Sequence, residues 1–199
     1  MEVLVIGAGL AGVTSAWYLN QAGHSVTVVD RRAGPGMETS FANGGQISVS
    51  HPEPWANPSA PATVLRWLGR KDAPLLFRLR ADPAQWRWAA AFLRECMPGR
   101  TAYNTRAIAS LALYSRRELK ALRESLDLQY HASEAGILHL FQSKREFSGI
   151  PARQKELGAM GIHTRLLSPD EAVALEPALS KVRPQLAGAL HGLDDESGD

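Results

Sequence analysis

The hydrophobic pattern is sharpest at the start of the chain. An apolar run, Val3-Leu4-Val5-Ile6, meets Gly7-Ala8-Gly9-Leu10-Ala11-Gly12. From about 10 to 22, Leu10, Val13, Trp17 and Leu19 recur at helical spacing, and Gly23 is placed as the C-terminal cap. Val26, Val28 and Val29 then predict a buried parallel strand ending in Asp30. The expected order is strand, glycine turn, helix, strand, acid.

Beyond residue 50 the pattern changes. Pro52, Pro54, Pro58 and Pro61 exclude helix and central strand, so 51–62 reads as an extended loop, with Trp55 needing something to pack on. A short helical segment near 63–68 and a candidate strand over 75–79 come next. Asp82 as N-cap and Pro83 open a helix to about Cys96, ended by Pro98-Gly99. Ile108, Leu111, Ala112, Ser115, Leu119 and Leu122 stripe a long helix over 102–125. The arms 129–132 and 137–141 predict a hairpin around Ser133-Glu134-Ala135-Gly136. A helix over 144–160, a strand over 162–166, a helix behind the capping box Ser168-Pro169-Asp170-Glu171 and a strand over 186–191 complete the pattern.

The fold class is therefore α/β: a Rossmann-like βαβ unit joined to part of a mixed α+β substrate domain. We expect 1–50 to be the N-terminal part of a cofactor domain, 51–62 a proline-rich loop, 63–185 a helix-rich substrate region and 186–199 a return toward the first domain. A doubly wound sheet needs more parallel strands than this pattern supplies, so the sheet is expected to be incomplete here. Ser197-Gly198-Asp199 reads as the approach to a further helix N-terminus. A longer polypeptide is the expectation.

The glycine turn carries chemistry. Gly7 permits a sharp turn out of the strand, Gly9 lets the backbone approach a pyrophosphate, and Gly12 lets the helix pack closely. The helix then aims free N–H groups and its positive dipole end at the phosphates. Asp30 can accept hydrogen bonds from adenosine ribose hydroxyls, and an acid there disfavours NADP despite Arg31-Arg32. NAD fits the first thirty residues as well as FAD. The stretch Thr39-Ser40-Phe41-Ala42-Asn43-Gly44-Gly45-Gln46 offers hydroxyls, amides and close backbone approach for a second cofactor contact, which favours FAD.

Composition narrows the picture. A net charge of +2 is too small to argue for nucleic acid, and the single cysteine, Cys96, excludes an internal disulfide and a cysteine-based metal site. The histidines His24, His51, His131, His139, His163 and His191 show no metal spacing, so no metal is expected; His51 alone lies on a loop that could approach a flavin. No stretch reaches the roughly 20 apolar residues that span a bilayer, and no signal peptide is visible, which suits a cytoplasmic protein. Trp67, Trp86 and Trp88 alternate with Arg66, Arg70, Arg78, Arg80 and Arg87. That mixture marks either a peripheral membrane surface or a helical substrate region with snorkelling arginines.

The chain resembles the FAD-dependent amine and amino-acid oxidoreductases of the D-amino-acid oxidase type, and within them the bacterial D-amino-acid dehydrogenases (small subunit). The residues that carry the resemblance are the glycine turn with Ala16, Asp30-Arg31, Glu38-Thr39-Ser40-Phe41-Ala42-Asn43, Pro54-Trp55-Ala56, Tyr114-Ser115-Arg116 and Asp195-Glu196-Ser197-Gly198-Asp199. It departs at Ser48-Val49-Ser50-His51 and at Gly45. The resemblance implies FAD held along Val3, Leu4, Val5, Ile6, Gly7, Ala8, Gly9, Leu10, Ala11 and Gly12. Asp30 would take the ribose and Arg31 the AMP end. Thr39, Ser40, Asn43, Gly44, Gly45 and Gln46 would run under the pyrophosphate, ribityl chain and flavin edge. It also implies oxidation of a D-amino acid to a 2-oxo acid and ammonia, with electrons passed to a respiratory quinone at the inner face of the bacterial inner membrane. A glycine/sarcosine-type oxidase using oxygen and a catalytically incomplete FAD-binding subunit are the rivals. No catalytic residue is assigned, because the family's substrate clamp lies in its later half.

Overall fold

The computed structural model describes residues 1–70, 72–73, 78 and 80–198, which divide into two compact units meeting in sequence between Gly45 and Gln46. The first unit is built as the pattern requires. Strand β1 (Glu2–Ile6) leads through the glycine turn to helix α1 (Leu10–Gln21) and strand β2 (Ser25–Val29). β1 and β2 pair in parallel from Glu2↔Ser25 to Ile6↔Val29. Ala22 closes α1, and Gly23 at φ +84° reverses the chain into β2.

The burial expected of β2 is not found. Val28 is 40% and Val29 49% exposed, beside Leu4 at 60% and Ile6 at 85%. Two strands have few neighbours, and α1 packs mainly along the alternate face, with Val3 and Val5 half-buried.

The second unit centres on a three-stranded antiparallel sheet. Strand β6 (Gly188–Gly192) lies between β4 (Ile137–Phe141) and β5 (Thr164–Leu167), and every residue of β6 is buried. Two-residue strands β3 (Gln46–Ile47) and β7 (Glu196–Ser197) pair antiparallel beside it. Helices α2 (Ala60–Trp67), α3 (Pro83–Glu95), α4 (Pro98–Leu126), α5 (Lys144–Phe147), α6 (Ile150–Ala159) and α7 (Pro169–Leu175) complete the unit. Its core joins Val49, Ala109 of α4, Ile150 and Leu157 of α6, Ile162 and Leu190 of β6.

Several boundaries differ from the pattern, each for a local reason. The hairpin does not form: only its second arm, β4, is a strand, and it pairs with β6 from Ile137↔Gly192 to Phe141↔Gly188. Ser133 makes an isolated bridge to Ser197 instead. The predicted 144–160 helix breaks into α5 and α6 around Ser148-Gly149, because Pro151 can sit only in a first turn. Pro98-Gly99, expected to stop α3, also starts α4, where a missing N–H costs nothing. The candidate strand over 75–79 falls largely outside the described residues. The capping box forms as expected, with Ser168 Oγ accepting from Glu171 N and Glu171 Oε2 accepting from Ser168 N at 2.8 Å.

The acidic run near 194–197 is not a solvated surface stretch. It makes a turn and β7, and Asp195 and Glu196 are buried. Both charges are matched. Glu196 Oε1 accepts from Arg116 Nε at 3.0 Å and Oε2 from Arg123 NH1 at 2.9 Å, tying α4 to β7. The hydroxyl of Tyr130 and then Glu196 push the Arg123 guanidinium further up. Asp195 Oδ1 accepts from Val49 N at 2.7 Å and Ser50 N at 3.0 Å, while Oδ2 accepts from the Ser50 hydroxyl. Burial pushes this carboxyl up, but the facing His139 imidazole and these donors outweigh it and hold the pKa below the usual carboxylate value.

The fully buried Leu190 sets the scale of the core. Leu190→Ala should lower stability by about 2–5 kcal/mol, and Ser168→Ala, which removes one cap, by about 1 kcal/mol. Urea unfolding followed by circular dichroism measures both; equal losses would show that β6 is not the centre of the unit.

Candidate dinucleotide site

The three glycines of the turn answer three different demands. Gly7 takes φ +104°, a backbone conformation that disfavours any side chain. Gly12 takes no special φ, but a Cβ there would collide with the carbonyl of Gly7. Gly9 differs from both. Its φ is −73°, and a Cβ would meet only Ser40 Oγ, at 3.4 Å, an ordinary contact. The fold alone therefore does not require glycine at position 9. Its bare face is open to something that approaches the backbone from outside the chain.

What lies at that face is a set of donors. Val13 N already reaches Gly9 O at 3.0 Å, and Leu10 N donates to Ser40 Oγ at 3.0 Å. Among the described residues, the amides of Gly9, Ala11 and Gly12 have no protein acceptor. Free first-turn amides with the positive end of a helix dipole behind them suit a phosphate or pyrophosphate.

Asp30 organises the turn from below. Its Oδ2 accepts from Ala8 N and its Oδ1 from Arg32 N, both at 2.7 Å. Those amides, Ala8 first, hold its carboxyl below the ordinary range, and the charges of Arg31 and Arg32 add to them. Each oxygen keeps a second lone pair, so an ionised Asp30 can still receive ribose hydroxyls. A cleft of about 560 Å³ runs along this edge, lined in part by Ala8, Val13, Ala16, Val29, Asp30 and Pro35. Its walls are mostly apolar, with Asp30 and Arg32 as the charged residues of the lining.

The other candidates fall into groups. Val3, Leu4, Val5 and Ile6 form the strand that delivers the turn. Ser40 is drawn to α1 by its bond to Leu10. Thr39, Asn43 and Gly44 are exposed on the following turns, where Asn43 Oδ1 accepts from Gly45 N at 2.7 Å and Gly45 takes φ +56°. Arg31 points to Glu38, donating from Nε at 3.2 Å and NH2 at 2.9 Å, and Arg32 shares the same oxygen. Glu38 thus anchors both arginines, a role that no spacing rule announces. Gln46 belongs to the second unit, in β3 opposite Ser197.

A βαβ turn with open amides, an acid at the second strand and a cleft along that edge is the arrangement of a dinucleotide-binding protein of the α/β class. The model of the family described as "DAO: FAD dependent oxidoreductase" matches residues 2–198, and the chain belongs to that family. The D-amino acid dehydrogenase of Dechloromonas aromatica is 56% identical over 199 residues, all of this chain and 48% of that protein. The corresponding protein of Paramagnetospirillum magneticum is 51% identical over 200 residues, again all of this chain and 47% of that protein. The chain thus spans about half the length of these relatives.

Solved structures agree on the fold. Glycine oxidase from Geobacillus kaustophilus superposes with a TM-score of 0.61 at 18% identity, covering 98% of this chain and 40% of that one. L-proline dehydrogenase from P. horikoshii gives 0.59 at 20% identity, covering 100% and 38%. The cofactor expected from the sequence, FAD, is that of the family.

The glycines separate fold from ligand. Gly9→Val should leave the melting temperature nearly unchanged and abolish FAD binding, whereas Gly12→Ala should lower the melting temperature itself. Thermal melts with and without FAD, together with flavin absorbance of the purified variants, test the pair; a Gly9→Val protein that still purifies yellow would refute the assignment.

Proposed function

We propose that this chain is the FAD-binding portion of a D-amino-acid dehydrogenase. The observation that carries the reading is 56% identity along the whole chain to a relative of that name. The substrate loses hydrogen from Cα and the amine, and the released imine hydrolyses to a 2-oxo acid and ammonia. Bound FAD supplies the two-electron acceptor; the protein holds and orients.

The chain's own residues then have stated tasks. The amides of Gly9, Ala11 and Gly12 hold the pyrophosphate, with Gly7 and Gly12 giving the turn its shape. Asp30 receives the adenosine ribose, and Arg31 stands at the AMP end. Thr39, Ser40, Asn43, Gly44, Gly45 and Gln46 line the path toward the flavin. We assign 1–50 to the cofactor side and 63–185 to the substrate side, with 51–62 as the loop between them and 186–199 as the return. Anaerobic reduction of a dye by D-alanine, with the chain supplied with FAD, tests the reaction. Oxygen consumption with peroxide formation would instead favour an amine oxidase of the glycine/sarcosine type.

The electron acceptor in this reading is a respiratory quinone, reached at the cytoplasmic face of a bacterial inner membrane. Among the described residues no helix is long and apolar enough to cross a bilayer, so the contact would be peripheral. Support comes from α3, where Trp86 is 53% and Trp88 56% exposed. The exposed Arg78, Arg80 and Arg87 are their neighbours in sequence. Aromatic rings beside arginines suit the interface of an anionic leaflet. Reversing the charge of Arg78 and Arg80 together should release the chain from phosphatidylglycerol vesicles in a sedimentation assay; unchanged sedimentation would remove the membrane contact from the reading.

A further inference from the structure

Arg31 and Arg32 follow Asp30 directly, at the place where a nearby arginine accommodates a phosphate on the 2′ position of an adenosine ribose. Both guanidinium groups are committed elsewhere. Glu38 Oε1 accepts from Arg31 Nε at 3.2 Å, from Arg31 NH2 at 2.9 Å and from Arg32 Nε at 2.5 Å. Three donors of two side chains thus converge on one carboxylate oxygen. Over 30–38 the two arginines are balanced by two acids, Asp30 and Glu38, so the segment carries no net charge. All of these residues belong to the first unit.

The position of Glu38 is set by the backbone. Its loop is tied to the glycine turn on both sides. Two residues before it, Gly36 N donates to Ala8 O at 2.8 Å; two residues after it, Ser40 Oγ accepts from Leu10 N at 3.0 Å. Gly36 turns the chain at φ +71°, and Phe41 N donates to Glu38 O at 2.9 Å to close the next turn. The carboxylate is therefore carried by a backbone anchored to the first turn of α1, and the arginines come to it. Exposed ion pairs like these add little stability. Their consequence is electrostatic. An anion arriving beside Asp30 meets two carboxylates, and guanidinium groups that are already paired.

We propose that Glu38 determines the specificity of the adenosine site: it draws Arg31 and Arg32 to itself, so that the site accepts a ribose 2′-hydroxyl and rejects a 2′-phosphate. The proposal rests on the placing of the adenosine ribose at Asp30 proposed above. Asp30 supplies acceptors for the hydroxyls and repels the phosphate. Glu38, as a positioning residue, removes the counter-charge that would offset that repulsion. FAD, whose ribose 2′-hydroxyl is free, meets both conditions; a 2′-phosphorylated dinucleotide meets neither.

The test uses the full chain and two probes, adenosine 5′-monophosphate and adenosine 2′,5′-bisphosphate, with affinities measured by isothermal titration calorimetry. The wild-type chain should bind the monophosphate more tightly. A hydrogen bond to a charged group corresponds to a factor of about ten or more. Glu38→Ala should therefore shift the ratio of affinities toward the bisphosphate by about tenfold, and by more at low salt than at high. The ratio cancels any gain at the shared 5′-phosphate. Adding Arg31→Gln and Arg32→Gln to Glu38→Ala should take the shift away, which a merely structural role of Glu38 would not do. Glu38→Gln, which keeps the shape and drops the charge, should shift the ratio in the same direction and serves where the alanine variant melts early. A ratio that ignores Glu38 in both variants overturns the proposal, as does a shift that survives loss of both arginines. Equal binding of the two probes by the wild-type chain overturns it too, and in each of these cases the bound monophosphate leaves the adenosine site standing. A wild-type chain that does not bind the monophosphate overturns the proposal together with that site; FAD binding by the same chain, read from its absorbance after dialysis, keeps the cofactor.

Discussion

The first turn of α1 lies so close to the end of β1 that only hydrogen fits on Gly12 beneath the carbonyl of Gly7. The rest of the first unit depends on this approach. It brings the amides of the first helical turn forward and leaves them without acceptors. It also puts Ala8 N within reach of Asp30, so the end of β2 is pinned to the end of β1. A larger residue at position 12 would separate the helix from the strand and disperse the open amides of the first turn.

The second unit depends on a different device, a pair of buried acids in sequence. Asp195 and Glu196 face opposite sets of donors, one taking loop amides and a hydroxyl, the other two arginines of α4. Burying charge is costly unless every lone pair finds a donor, and here the donors come from residues 73 to 146 positions away in sequence. Acids that look like a solvated run are therefore the pins that join the 48–50 segment, α4 and β7. Gly192 completes the arrangement, because a Cβ there would press on the Asp195 carboxylate and the Ser50 hydroxyl.

The two units present different kinds of donors. The first offers backbone donors, which fit a phosphate chain of fixed shape and carry no information about a substrate. The second offers side chains fixed by tertiary contacts. The likeness to glycine oxidase and L-proline dehydrogenase structures at 18–20% identity rests on shape, and so speaks for the scaffold alone.

Local features were legible in the sequence. The glycine turn, α1, the Asp82 and Ser168 caps and Asp30 are all set by neighbours a few residues apart, where steric limits and orphaned N–H groups leave few choices. The FAD family was legible for the same reason: a cofactor grips short, contiguous segments. The rest needed the fold. Strand β4 left its expected hairpin partner for β6, fifty residues on, because pairing energy depends on which faces become buried. Pro151 split a helix whose apolar spacing was continuous. Gly7, Gly9 and Gly12 are one motif in the sequence, and only their surroundings show that the first and last serve the backbone while Gly9 has room for a side chain. Asp195, Ser50 and His139 carry no shared spacing, so their meeting was decided entirely by tertiary structure. Local sterics and capping act within a turn or two of chain, whereas buried charge must find donors wherever the fold brings them.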